Sequence, residues 1–475
     1  MPCCEALTHK HSLDLKEKHF SLGELIRLAE SEKVPFSTIA IAEAMAKEDK
    51  SRQEVLADAL SQFSHNLRAL EIGITSGKSF LLGSVGSDLV NGEALPILND
   101  RFLNRAVVYT LGTEVGNHEI GLRPCAGTGD SCPYTGLLRA LREENIGEDK
   151  LAVMAALILK IGSYFRAGKQ TTGCNMEGYG AGSAITAAVL TELSGGSPSQ
   201  VAKAIVLALS PTIAVPCTPR VMVSGLCATH IGAAILVGNL AARLVLHSKI
   251  PVDVDVDVML AMAARVHVEA APVITRINLD YMQPYFKKNS VVESFVDQKV
   301  RDQEAAAVRK VEEKARQEVR GFAAASRPLT RCLGDVVVGG SSLAVGSPSN
   351  MSRICHALIS GKISRIDIEL TTDLFVRRAI NIPSMLMAAI LGAKTDDITT
   401  YKSILNSPEL KNIVVCITEV KEPEVQRIRI TASERSAFLD ARNRGGGRVH
   451  IVTAEPSMEE ATSAAAKMDI HISDT

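Results

Sequence analysis

Three cysteines stand in settings that suit chemistry: Cys174 in GCNMEGYGAGSA, Cys217 in AVPCTPR and Cys227 in SGLCATH. Each lies beside glycine, proline or small residues, and nine residues separate the last two. Three thiolates do not close a four-ligand structural site. They can hold three corners of a [4Fe–4S] cluster and leave its fourth iron open to a substrate oxygen, as a Lewis acid. The plainer reading is three small buried hydrophobes, the usual condition of free cysteine. Widely spread cysteines are also far less specific than a CxxC pair.

Such a site needs elements to position it. A chain of 475 residues has room for two or three domains and a large core. Its formal net charge of −1 gives no sign of a nucleic-acid or anionic-membrane partner. Hydrophobic residues make up 46% but aromatics only 4%, with no tryptophan, so the core must be Ala, Leu, Ile, Val and Met, which suits close-packed helices. The ten cysteines are scattered, unlike a secreted disulfide framework, which predicts a reducing compartment. The start, MPCCEALTHKHSLDLKEKH, has no apolar core of a signal peptide. The apolar stretches Leu151–Leu159 and Ile231–Ala242 are shorter than a bilayer span. These features predict a cytoplasmic protein with a small-molecule substrate and neither nucleic acid nor membrane as partner.

Residues 21–297 read as a mainly helical bundle after an N-terminal extension, 1–20. Leu22, Leu25, Ile26 and Leu28 form a helical stripe, as do Ile39, Ile41, Ala42 and Met45. Ser197 and Pro198 mark a helix start, with Pro211 ending it. Ile231–His247 is apolar almost all round, which predicts a fully buried helix. Gly-rich loops interrupt these helices at Gly73–Gly77, Gly121–Gly136, Gly173–Gly182 and Pro216–Gly225, and two of them carry or border the three cysteines. A charged linker, 298–327, follows. Residues 328–475 then alternate as a smaller α/β domain: GDVVVGG as a strand, NMSRICHALISGK as a helix, RIDIELTTD as a strand, RRAINIPSMLMAAILGA as a helix, and NIVVCITEV, QRIRITAS and RVHIVTAE as later strands.

The stretch from GCNMEGYGAGSA through ELSGGSPSQV and AVPCTPR to SGLCATHIGAAILVGNLAARLVL resembles the α domain of the iron–sulfur L-serine dehydratases. The likeness extends back to about Ser21 and implies that Cys174, Cys217 and Cys227 are the cluster ligands. NHEIGLRPCAGTGDSCPYTG is similar to that family's substrate loop, APTxGxxG, with Thr128 on its threonine. GITSGKS is similar to a second loop, SGLTGGDA. The C-terminal region resembles the family's β domain more distantly. Where the family has IGPSSSHTxGP, Val345–Ser352 reads VGSPSNMS, with Met351 on the histidine, and the family's GHGTD stretch falls on Asn381–Ser384, NIPS. A thioether does not exchange a proton. The family's terminal cysteine is also missing; this chain ends HISDT.

The resemblance implies β-elimination, in which hydroxide leaves and an α-proton is abstracted. Candidate bases are Glu177 and His230, each three residues after a ligand, and Asp130, with Ser131 and Tyr134 in the same Gly-rich loop. Each has a plainer role, as a cap, a buried hydrogen bond or a turn. Ser76, Lys78, Ser79, Thr128 and Ser131 are candidate substrate contacts, Arg220 offers a fork for a carboxylate, and Ser347, Ser349 and Asn350 would meet a more oxygenated substrate. Cys125 and Cys132 are alternate ligands. The expected function is an iron–sulfur lyase acting on a small hydroxy or amino acid, as a homodimer. The alternatives are a hydro-lyase for another hydroxy acid, a cysteine desulfidase, and a non-catalytic ligand-binding or partner subunit.

Overall fold

A serine, a proline and a glutamine in the order Ser197, Pro198, Gln200 satisfy the free N–H groups that open a helix. The Ser197 hydroxyl accepts from Gln200 N (3.2 Å) and the Gln200 side chain accepts from Ser197 N (3.0 Å). Ser21 with Glu24 and Ser51 with Glu54 repeat this device, so three helix starts are written locally. Ser197→Ala is expected to cost about 1 kcal/mol in urea unfolding.

The computed structural model describes residues 4–91, 96–120, 132–168, 179–213, 215, 223–326, 328–331 and 336–473. The chain divides into two compact units, Met1–Val319 and Arg320–Thr475. In the first, α1 (Cys4–Lys10), α2 (Ser12–Glu17), α3 (Leu22–Glu32), α4 (Phe36–Glu48) and α5 (Arg52–Ser61) lead into α6 (Ser64–Thr75), α7 (Val85–Asn91) and α8 (Arg101–Ile120). Next come α9 (Cys132–Glu143), α10 (Glu148–Gly168), α11 (Gly182–Leu193), α12 (Pro198–Leu209), α13 (Leu226–His247), α14 (Val256–Met282) and α15 (Ser290–Glu293), and α16 (Gln298–Ala325) crosses the boundary between the units. Residues 4–17, read as an extension, belong to the same core: Leu7 and Leu15 are fully buried.

α13 departs from the expected full burial. Its Ala234, Ile235, Ala241 and Ala242 face the core, but Leu236 and Leu240 are exposed. The expectation that no apolar stretch reaches bilayer length is also corrected: Leu226–His247 and Val256–Tyr285 are each long and apolar enough to cross a membrane. α13 nevertheless packs against α8, α9, α11 and α12 within the bundle. α14 leaves Val258, Met262, Val273 and Ile277 exposed.

The second unit is a five-stranded sheet with helices packed on it. α17 (Ser347–Leu358) precedes β1 (Ile363–Thr371), and α18 (Thr372–Phe375), α19 (Arg378–Leu391) and α20 (Ile398–Ser403) lead to β2 (Val414–Val420). β3 (Val425–Ala432), β4 (Ala437–Asn443), β5 (Val449–Glu455) and α21 (Met458–Lys467) complete it. The strand order is β2-β1-β3-β4-β5, with β1 parallel to β2 and the other neighbours antiparallel. Ile366, Ile368, Leu370, Ile428, Ile430 and Leu439 alternate onto the helix-covered face. The opposite face is charged, with Arg427 held by Asp440 (2.9 Å), Glu369 (3.1 Å) and Glu422. β4 was not expected, because its inward residues Ala437, Leu439 and Ala441 include no β-branched or aromatic side chain and carry little strand propensity. Conversely, the described part of GDVVVGG is not a strand. Gly339 has φ +64, and a Cβ there would lie 2.2 Å from the Tyr401 ring, so the chain turns at a position only glycine fits.

Candidate active site

α8 is the element from which the site is built. Its sequence AVVYTLGTEVGNHE buries an acid, Glu114, and an amide, Asn117, together with Thr110 and Thr113, among apolar side chains. Such groups persist in a core only with partners. Glu114 has them: Cys132 Sγ donates to its Oε2 (2.7 Å), Cys227 Sγ to its Oε1 (3.6 Å), and His118 Nε2 lies 2.8 Å from the same Oε1. Asn117 Nδ2 donates to Asn66 Oδ1 (3.4 Å) and to Cys132 Sγ (3.2 Å). Its Oδ1 has no hydrogen-bond partner among the described residues.

The turn after α6 closes on the same place. Ser79 and Gly83 exchange backbone hydrogen bonds (2.9 Å each), and the Ser79 hydroxyl accepts from Leu81 N and Leu82 N (3.0 Å each) and contacts His118 Nδ1 (3.3 Å). Lys78 N donates to Glu119 Oε2 (2.7 Å), and Gly225 N donates to Leu81 O (2.8 Å). The turn is thus fastened both to the end of α8 and to a residue two places before Cys227.

α11 and α13 run side by side in the same direction. Tyr179, just before α11, packs against His230 with ring centroids 4.9 Å apart and ring planes tilted by 59°. One turn on, a Cβ at Gly182 would lie 3.0 Å from the Ala234 Cβ and 2.9 Å from the Pro133 side chain, and a Cβ at Gly238 would meet Thr186 at 2.5 Å. The starts of α9, α11 and α13 and the end of α8 therefore share one end of the bundle. Cys132, Tyr179 and Val223, the first residues described after positions 121–131, 169–178 and 216–222, all lie near that end.

Of the residues singled out from sequence, this end brings together Cys227, His230, Lys78 and Ser79, with Ser76 exposed at the end of α6. Cys132, an alternate ligand, joins them. Cys174, Cys217, Glu177, Thr128, Asp130, Ser131, Arg220 and Cys125 lie outside the described residues. Ser79 was expected as a substrate contact. It is buried, its oxygen accepts two N–H groups, and it lies 3.3 Å from His118 Nδ1. Tyr134 is buried in the bundle core rather than open to the site. Ser347, Ser349 and Asn350 belong to the second unit. Ser347 and Ser349 are buried there; Ser347 Oγ accepts from Gln426 Nε2 (2.8 Å) and Asn350 Nδ2 donates to Gly447 O (3.0 Å). Met351 is fully buried in that unit's core, and Asn381–Ser384 lies within α19.

Sequence reading passed over Glu114, Asn117 and His118. The signal was present as an acid and a histidine four apart on one face of an apolar helix, a spacing that makes them neighbours.

Of the three expected cluster ligands, Cys227 is the one among the described residues, and its sulfur is a soft donor of the kind a thiophilic metal takes. This soft sulfur is buried in the first turn of α13, where the helix dipole favours negative charge. His230 Nε2, three residues on, is buried with no partner among the described residues. Among the described residues no group of three or more His, Cys, Asp and Glu side chains is placed to hold a metal ion. Two of the three expected ligands are outside them.

The fold and site together define a helical unit that gathers thiols, a carboxylate and histidines at one end, joined to a mixed α/β unit. No family model matches the chain. The chain is similar to the probable L-serine dehydratase, alpha chain, of Bacillus subtilis (strain 168), at 25% identity over 216 residues, covering 42% of this chain and 69% of the relative.

Proposed function

We propose that the chain is an iron–sulfur lyase catalysing β-elimination on a small hydroxy or amino acid, with a [4Fe–4S] cluster on Cys174, Cys217 and Cys227. The observation that carries this is the convergence of Cys227, His230 and the Lys78 turn at the end of the bundle where α9, α11 and α13 begin. The similarity to a serine dehydratase α chain supports the same reaction class.

Bound there, the cluster supplies a Lewis-acidic iron that draws charge off a departing hydroxyl. The chain supplies the rest. Lys78 and Ser76, exposed on the turn, provide a cation and a hydroxyl for a carboxylate. His230, whose Nε2 has no partner among the described residues, is the described residue best suited to move the α-proton, and Glu177 and Asp130 are its rivals.

One observation favours a substrate other than L-serine. Met351, on the histidine of the resembled β-domain signature, packs in a dry core and has no proton to exchange. Elimination from another hydroxy acid, or of sulfide from cysteine, fits this better. The test is anaerobic reconstitution with iron and sulfide, then assay of ammonia and pyruvate from L-serine, sulfide from L-cysteine, and dehydration of a panel of hydroxy acids. Stoichiometric cluster with turnover on the panel and weak activity on L-serine is expected. L-serine turnover at roughly 1–10³ s⁻¹, the range of enzymes on their own substrates, would overturn the substrate assignment. A reconstituted chain that holds no iron would overturn the lyase, and one that holds iron yet turns over nothing would favour a non-catalytic subunit.

A further inference from the structure

The contacts around Glu114 converge on its carboxylate from two sides. The Ser79 oxygen accepts from Leu81 N and Leu82 N, and the assignment consistent with its 3.3 Å contact to His118 Nδ1 has Ser79 donating there. His118 accepts at Nδ1 and therefore donates at Nε2, to Glu114 Oε1 (2.8 Å). Cys227 and Cys132 donate to the two oxygens of that carboxylate from the other side. Glu114, Cys132, Cys227 and Ser79 are all buried, so water does not replace a missing member freely. The line spans three elements: the turn carrying Lys78, the last two turns of α8, and the first turn of α13.

We infer that His118 and Glu114 are positioning residues that fix the Lys78–Ser79 turn against the Cys227 thiol. In the iron-free chain Glu114 accepts from the thiol and His118 acts on Glu114, so neither needs to touch substrate. An iron-bound thiolate has no proton to donate, and there the main chain keeps the spacing. A second clamp, Gly225 N to Leu81 O (2.8 Å), joins the same two segments through backbone alone. Side chains and main chain thus hold one spacing twice, between the turn assigned to the substrate carboxylate and a sulfur assigned to the cluster. The functional meaning of that spacing rests on the lyase proposed above; the spacing itself does not.

The test uses the full chain without iron. Iodoacetamide labelling of Cys227 is timed by mass spectrometry in wild type, His118→Ala, His118→Gln, Ser79→Ala and Glu114→Gln. In His118→Ala, labelling of Cys227 should accelerate about fivefold, the factor that one lost hydrogen bond represents, although His118 acts on this thiol only through Glu114. His118→Gln, which can accept from Ser79 and donate to Glu114, should return the rate to within about twofold of wild type. Ser79→Ala removes the far end of the line and should accelerate labelling in the same direction, which keeps the inference testable if His118→Ala fails to fold. Wild-type labelling in both His118→Ala and Ser79→Ala, or no rescue by His118→Gln, would overturn it. Because no iron is present, this failure is separate from failure of the lyase, which the iron content of reconstituted wild type reports.

Discussion

Cys227→Ser is expected to leave the reconstituted chain without its broad visible thiolate-to-iron absorption and to lower turnover by about 10³-fold or more, since an open iron contributes several kcal/mol to charge stabilisation. A serine oxygen is a hard donor and gives up its proton far less readily than a thiol, so two cysteines remain for three corners of the cluster. The informative partner is Cys132→Ser. Its sulfur also meets Glu114, at 2.7 Å, but a serine hydroxyl there still donates to Glu114 Oε2 and keeps that carboxylate satisfied. Cys132→Ser should therefore retain iron and absorption. Cys416→Ser, at a half-buried thiol of the second unit, should behave as wild type in both. Iron content, acid-labile sulfide and the visible spectrum decide the matter. Should Cys132→Ser lose the cluster while Cys227→Ser keeps it, the ligand assignment moves from α13 to α9.

Gly238→Ala should destabilise the chain by about 3 kcal/mol, at the upper end of overpacking costs. An added methyl at Gly238 would lie 2.5 Å from Thr186 Cβ and 2.6 Å from the Ser183 carbonyl oxygen, neither of which is a flexible tip. α11 and α13 are held together at this crossing, and their shared starts form the site. The helix itself would prefer alanine over glycine by about 1 kcal/mol, so a net loss measures the crossing and not the helix. Gly232→Ala, six residues earlier in α13, provides the contrast. Its methyl would touch only Val107 Cγ1 at 3.4 Å, an ordinary contact, so this change should be neutral or stabilising. Urea unfolding of both variants reads the difference. Equal stabilities would mean that α11 and α13 are not packed this closely. Gly116→Ala, with its methyl 1.9 Å from the Ala69 carbonyl oxygen, extends the argument to α6 and α8 and should cost at least as much as Gly238→Ala.

Much of the architecture was legible because it is written in short-range patterns. The helix start at Ser197 and Pro198, the stripe from Leu22 onward and the alternation of Ile366, Ile368 and Leu370 each depend on neighbours within a few residues. Where local patterns were weak, reading failed in a physical way. β4 presents alanines to the core and becomes a strand because β3 and β5 flank it. The valines before Gly339 look like a strand, yet the backbone turns beside Tyr401. α13 looked buried on all sides because hydropathy records what a residue tolerates, not which neighbours reach it.

The amino-acid sequence by itself determined that this chain has a helical part and an α/β part, and that Cys227, His230 and the Gly-rich segments are candidates for chemistry. Only the tertiary structure decided which groups meet. Glu114 sits 113 residues from Cys227 along the chain, and Ser79 sits 39 from His118, yet each pair is in contact. Those contacts follow from glycines at 73, 86, 112 and 116, which let α6, α7 and α8 cross at backbone distance, and from Gly182 and Gly238, which do the same for α11 and α13. A glycine in the sequence does not announce which helix it admits. Which helix lies across it is settled when the apolar faces of the whole bundle are buried together, and only then do the buried acid, the thiols and the turn arrive at one end.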